Sequence, residues 1–223
     1  MAKNIADRIK EGRQFRRMEL RIKESAGVEN ASDSYVVEGY ATTFGEEYML
    51  YETEDYRVFE KVAPDAFSGC DMEDVIFQYD HEGRVYARLS NGTLKLDADG
   101  HGLKVTADLG GTEEGRKLFE EIKGGYTNKM SFGFTISGET QERRKGEDGK
   151  TEYLFEIKRI SKLYDVSAVS IPANDGTEIS ARSHFDGAIE KACKVEAERL
   201  SEEQREKRQK EAERLALELS FKL

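Results

Sequence analysis

The stretch 92-GTLKLDADGHGLKVTADLG-110 holds two short runs in which apolar residues take every second place: Leu94 and Leu96, then Leu103, Val105 and Ala107. A period of two is that of a strand with one buried face. Between the runs lies Asp99-Gly100-His101-Gly102, residues suited to a tight reversal, so the segment predicts an antiparallel hairpin. Asp97, Asp99, Gly102 and Asp108 also fall at positions one, three, six and twelve of a calcium-binding loop. Such a loop is flanked by helices, whereas both flanks here alternate like strands. The acids are therefore read as turn formers, and no metal or cofactor is expected.

The same alternation extends outward. Upstream, 16-RRMELRIKE-24 spaces Met18, Leu20 and Ile22 two apart, 36-VVEGYATTFG-45 is rich in β-branched and aromatic residues, and 74-DVIFQYDHEG-83 reads as a buried strand ending in a polar turn. Pro64 predicts a short helical turn over Asp65, Ala66 and Phe67. Downstream, 112-TEEGRKLFEEIKGG-125 has a capping threonine, acids in its first turn, Leu118, Phe119 and Ile122 on one side and glycines at its end, the pattern of a helix. Strands are expected again at 126-YTNKMSFGFTISGE-139 and 151-TEYLFEIKRISKLYDVSAVSIPAN-174, closed by Pro172. The charged run 140-TQERRKGEDGK-150 is expected to be a loop. Beyond Gly187 the chain lacks Gly and Pro and predicts one long helix, its apolar stripe interrupted by Gln204, Lys207 and Arg208. The expected class is α+β: a mostly antiparallel β-sheet or β-barrel with helices outside, plus a long C-terminal helix. The expected divisions are an N-terminal arm (1–12), a body (13–184) and the charged C-terminal helix (185–223).

With 223 residues, 36% charged and 37% hydrophobic, including ten Tyr and eleven Phe, the chain suffices for one good-sized core with appendages. No apolar run approaches the roughly 18 residues of a membrane span, and the first dozen residues lack the apolar centre of a signal peptide. A cytosolic protein without membrane association is expected. Cys70 and Cys193 lie in unlike surroundings and are read as free thiols. The net charge is −10, yet residues 1–24 carry eight basic and four acidic side chains and 187–223 carry nine of each, so the body is acidic. Nucleic-acid binding needs a concentrated basic face, which only the short N-terminal segment offers, and it is not expected.

Three positions stand out chemically. His81 follows a strand in 78-QYDHEG-83, where a turn histidine at the surface is the ordinary reading; His101 lies in the hairpin turn, and His184 borders the tail without partners. Ser131, in 129-KMSFGF-134, is by itself an ordinary small strand residue, but Gly133 beside it admits close approach of a backbone or substrate. Asp165, in 163-LYDVSAV-169, puts a carboxylate inside an apolar alternation, at a free-energy cost unless it is paired. Together they offer a base, a hydroxyl and an orienting acid, the set used by serine hydrolases. Spacing alone does not bring them into contact.

From about Arg16 to Arg182 the chain resembles the tailed-phage prohead serine protease family, enzymes that mature phage capsids. Five blocks occur in order: VVEGYATTF, FEKVAPDAF, YDHEGRVYARLSNGTLKLDADGHGLKVTADL, the helix ending IKGGYTNKMSFGF, and ISKLYDVSAVSIPAN with ARS after it. The resemblance implies a barrel-like fold related to the herpesvirus assemblin-type proteases and serine endopeptidase activity. It further implies His81 as general base, Ser131 as nucleophile and Asp165 as third member, a place where relatives often carry Glu and the herpesvirus enzymes a second histidine. Amides at and beside Ser131 are expected to be open to an oxyanion. The implied partners are the scaffold and the major capsid protein, cut within the immature capsid in the host cytoplasm, with self-cleavage and homo-oligomerisation as further expectations. The competing expectation is a non-catalytic assembly protein that keeps the protease-like fold.

Overall fold

The computed structural model describes residues 13–22, 35–169 and, except for 186, 192, 196 and 200, residues 185–210. The expected arm (1–12), Pro172, His184 and the last residues of the tail lie outside the described residues. Two compact units are present, residues 1–181 and 182–223. In the second, described residues between 185 and 210 are helical, with an Arg199–Glu203 ion pair at 3.7 Å one turn apart. Among the described residues no helix is long and apolar enough to cross a membrane.

Among the described residues, the first unit has ten strands and one helix: β1 (Gln14–Ile22), β2 (Val36–Thr43), β3 (Tyr48–Glu52), β4 (Tyr56–Val62), β5 (Ile76–Tyr79), β6 (Glu82–Arg88), β7 (Leu94–Ala98), β8 (Gly102–Asp108), α1 (Glu113–Lys123), β9 (Lys129–Lys145) and β10 (Thr151–Val169). The class is mixed α+β and mostly sheet. The hairpin read from residues 92–110 is β7–β8, paired Leu96 to Val105 and Ala98 to Leu103. Asp99 forms its turn, accepting from the backbone N–H groups of His101 (2.7 Å) and Gly102 (2.9 Å) and from the Tyr40 hydroxyl (2.8 Å). Those bonds occupy one of the three acids that the calcium-loop pattern contained. The Pro64 segment makes successive turns, not a helix, through Ala66 N–H to Ala63 O (3.0 Å) and Ser68 N–H to Asp65 O (2.9 Å).

Sheet order is β3-β4-β10-β9-β1-β2-β8-β7, with β5 joining β10 and β6 joining β5. A closed barrel is not shown: among the described strands β3 and β7 end the path without pairing with each other, although an isolated parallel bridge from Phe44, just past β2, to Val62 of β4 links its two halves. β1 is its corner: Gln14 to Glu19 pair with β9, and Leu20 to Ile22 pair with β2. The sheet forks at β10, whose first half lies parallel to β4 (Thr151 to Ile157) and whose end lies parallel to β5 (Asp165 to Ala168). All other pairings between these strands are antiparallel, and two isolated bridges, Asp71 to Lys162 and Phe44 to Val62, are parallel.

The charged run expected as a loop is strand as far as Lys145, and only Gly146 to Lys150 turn. Polar side chains hide the alternation, but cross-strand charges replace it: Arg144 meets Glu152 and Glu47 at 2.8 Å each, and Arg57 meets Asp148 at 2.6 Å. Such exposed pairs contribute a few tenths of a kcal/mol each, roughly. Continuous pairing of β10 with β4 supplies the rest of the order.

Helix α1 starts where Thr112 accepts from the Gly115 N–H at 3.0 Å and buries Leu118, Phe119 and Ile122. Each such side chain stabilises by about 1.5–3 kcal/mol. Gly115 is needed for the close approach: a Cβ there would lie 2.2 Å from the Leu109 carbonyl oxygen. Met130, Phe132 and Phe134 of β9 join the same core, the two phenyl rings stacked 4.5 Å apart. Alternation along the strand then sends Ser131 and Gly133 to the opposite face.

Candidate active site

That opposite face carries the residues singled out by chemistry. β10 lies antiparallel to β9 with Ser167 opposite Ser131 and Asp165 opposite Gly133, so the serine and the carboxylate share one face of neighbouring strands. Gly133 leaves the place facing Asp165 without a side chain. His81 arrives from the other side of β10. Ile76 runs parallel beside Asp165 and Tyr79 beside Ala168, and Asp80 N–H holds the Ala168 carbonyl at 2.9 Å. The chain has thus passed the carboxylate and must turn back. It does so through two consecutive left-handed residues, Asp80 (φ 49°) and His81 (φ 59°), between the paired Tyr79 and Glu82. Both central residues of a two-residue hairpin adopt this sign of φ, usually as Asn-Gly. Asp and His tolerate it better than most, at a cost on the order of 1–3 kcal/mol each.

The reversal lays the imidazole between serine and acid. His81 Nε2 lies 2.6 Å from Ser131 Oγ, and Nδ1 makes a short contact with Asp165 Oδ1. The relative exposures are 3% for His81, 2% for Ser131 and 1% for Asp165. Water therefore does not compete with these contacts, which strengthens them and makes an unpaired member costly. Two residues not singled out by sequence complete the surroundings of the acid. Ser167, fully buried, donates to Asp165 Oδ1 at 3.2 Å, and Arg13 Nη1 lies 3.4 Å from Oδ2. The Arg13 guanidinium also sits 3.6 Å over the ring of Tyr164. Ser167 had one readable signal, its place two residues after Asp165 on the same strand face; Arg13 was one of eight bases in a polar segment.

The expectation that amides at Ser131 are open to an oxyanion is corrected. Residues 129–134 pair with β1 on one edge and β10 on the other, so their N–H groups lie within ladders. His101 is remote in role, its ring edge-on to Tyr40 at 4.6 Å in the β7–β8 turn. His184 lies outside the described residues. Burial pushes the Cys70 thiol up to about 11, which keeps it protonated near neutrality and a poor nucleophile. Among the described residues no group of three or more His, Cys, Asp or Glu is arranged to hold a metal ion.

A family model described as caudovirus prohead serine protease matches residues 18–189. The chain belongs to that family. The match spans β2 to β10 and contains His81, Ser131 and Asp165, while Arg13 precedes it. Comparison with curated proteins finds no match, nor does comparison with solved structures. Family membership supports a role as a serine protease of capsid maturation.

A second buried polar cluster lies on the other face of β1. Arg16, 2% exposed, grips Glu60, 0% exposed, through Nε and Nη2 at 2.6 Å each, and the Tyr48 hydroxyl donates to the same carboxylate. Burial raises the Tyr48 hydroxyl well above its ordinary range. This group ties β1 to β4 and β3 and does not touch the Ser131 face.

Proposed function

We propose that this chain is a serine endopeptidase in which Ser131 is the nucleophile, His81 the general base and Asp165 the orienting acid. The observation that carries the reading is the continuous contact from Ser131 Oγ through both ring nitrogens of His81 to Asp165. His81 Nε2 takes the hydroxyl proton as Oγ attacks a peptide carbonyl, then returns it to the departing amine. Asp165 holds Nδ1–H, which selects the tautomer that leaves Nε2 free to accept, and stabilises the imidazolium that forms. Water then cleaves the acyl-enzyme by the same proton route, restoring the hydroxyl and releasing the acid.

The substrates in this reading are capsid-assembly proteins, namely the scaffold or the N-terminal extension of the major capsid protein, and the protease itself. Family membership supports that choice. The site of action is the interior of the immature capsid in the host cytoplasm, where confinement supplies high effective concentration and weak intrinsic affinity suffices. Because Ser131 is 2% exposed, a peptide reaches it only after the groups over that face move apart. The test is therefore made on particles. Shells produced by co-expression with the capsid protein and scaffold are treated with a fluorophosphonate probe and the adduct is mapped by peptide mass spectrometry. Modification confined to Ser131 is expected; trimming particles whose probe sits elsewhere, or nowhere, would refute the assignment.

A further inference from the structure

We infer that Arg13 is a positioning residue for Asp165, so that the start of strand β1 is a working part of the catalytic centre; the inference rests on the triad proposed above. The need arises from burial. An ionised carboxylate that is 1% exposed requires compensation, and its two oxygens are compensated differently. Oδ1 is shared by His81 Nδ1 and the Ser167 hydroxyl, while Oδ2 faces Arg13 at 3.4 Å. Imidazole carries charge only while it holds the serine proton, and a hydroxyl carries none. Arginine stays charged throughout, so Arg13 supports the carboxylate at the stage when His81 is neutral. With Oδ2 held, rotation about the Asp165 side chain is restrained and Oδ1 stays directed at the imidazole.

Two separate features place the guanidinium. Gln14, the next residue, pairs with Phe134, which registers the start of β1 against the strand that carries Ser131. On β10 the register shifts between Leu163 and Asp165: Leu163 faces Phe134 and Asp165 faces Gly133, so Tyr164 is the extra residue of a β-bulge. A bulge re-aims side chains next to functional sites. This one turns the Tyr164 ring under Arg13 at 3.6 Å, with Lys162 Nζ 5.6 Å from the same ring. A flat aromatic face favours the planar guanidinium and limits its freedom. The bulge thus sets both the carboxylate and the platform for its cation.

The test uses the full chain in co-expressed particles and reads two quantities, the rate of Ser131 modification by a fluorophosphonate probe and the rate of capsid-precursor trimming. Arg13→Gln is expected to slow both about tenfold, the order found when a partner that orients a functional side chain is lost. Arg13→Lys, which restores the charge, is expected to recover most of that loss, whereas a residue that only packs on Tyr164 would give similar values for Gln and Lys. In an Asp165→Asn background, Arg13→Gln is expected to have little further effect, because interacting residues are non-additive. Full wild-type rates in Arg13→Gln, equal loss in Gln and Lys, or an undiminished loss in the Asn background would each overturn the inference while leaving the triad standing. If wild-type particles neither react nor trim, or Ser131→Ala trims normally, the triad fails and this inference with it.

Discussion

Replacing Asp165 by Asn removes one negative charge from a side chain that is 1% exposed and changes its shape little. In the proposed reaction the imidazole becomes positive beside that carboxylate, through the Nδ1–Oδ1 contact. Opposite unit charges about 4 Å apart attract by about 4 kcal/mol at an effective dielectric near 20. Rearrangement of the neighbouring dipoles around the neutral amide recovers part of this, so we take about 3 kcal/mol as the differential loss. At 1.36 kcal/mol per factor of ten, Asp165→Asn should slow the chemical step on the order of a hundredfold. The amide can also present N–H to Nδ1 and hold the wrong tautomer, which adds to the loss. A time course of capsid-precursor cleavage, followed by intact mass in co-expressing cells, measures it, with urea unfolding as the control for fold. Cleavage within about threefold of wild type, in a variant that unfolds normally, would refute the electrostatic role assigned to this acid.

Breaking the buried Arg16–Glu60 pair by Glu60→Gln leaves a guanidinium uncompensated and should lower stability by about 3–5 kcal/mol in urea unfolding. A cost below about 1 kcal/mol would show the cluster to be solvated. Gly115→Ala would ordinarily favour a helix by about 1 kcal/mol, but the 2.2 Å approach to the Leu109 carbonyl should reverse the sign. A raised melting temperature would contradict that. Arg144→Gln, at the exposed β9–β10 arm, should change stability by less than about 1 kcal/mol and reduce its dependence on salt; a larger loss would mean that the ion network, and not pairing with β4, orders the arm.

What sequence made legible was local. The β7–β8 hairpin shows in the alternation of Leu94, Leu96, Leu103 and Val105, and α1 in its Thr112 cap and the Leu118–Ile122 face. Strand β5 with its polar turn was visible too, though nothing in 79-YDHEG-83 announces two left-handed residues in succession. The β9 half of the β9–β10 arm was missed because residues 139–145 are polar on both faces, and a period of two vanishes when inner and outer positions are equally charged. Parallel pairing of β10 with β4 and β5 depends on contacts distant in sequence. Asp165 was visible as a charge inside an apolar alternation and Ser131 only through the Gly133 beside it, while His81 read as an ordinary turn residue, and their meeting was not visible. It requires the parallel run along β10 to overshoot Asp165 and a reversed turn to bring the chain back. Arg13 has no local signature and becomes notable only through its distance from the acid, while Ser167 shows only its place two residues after Asp165.

The most direct measurement compares the major capsid protein recovered from shells co-expressed with the wild-type chain and with Ser131→Ala. The account predicts a shortened polypeptide by intact mass with wild type and the full-length precursor with the alanine variant. Identical shortened masses from both would contradict it.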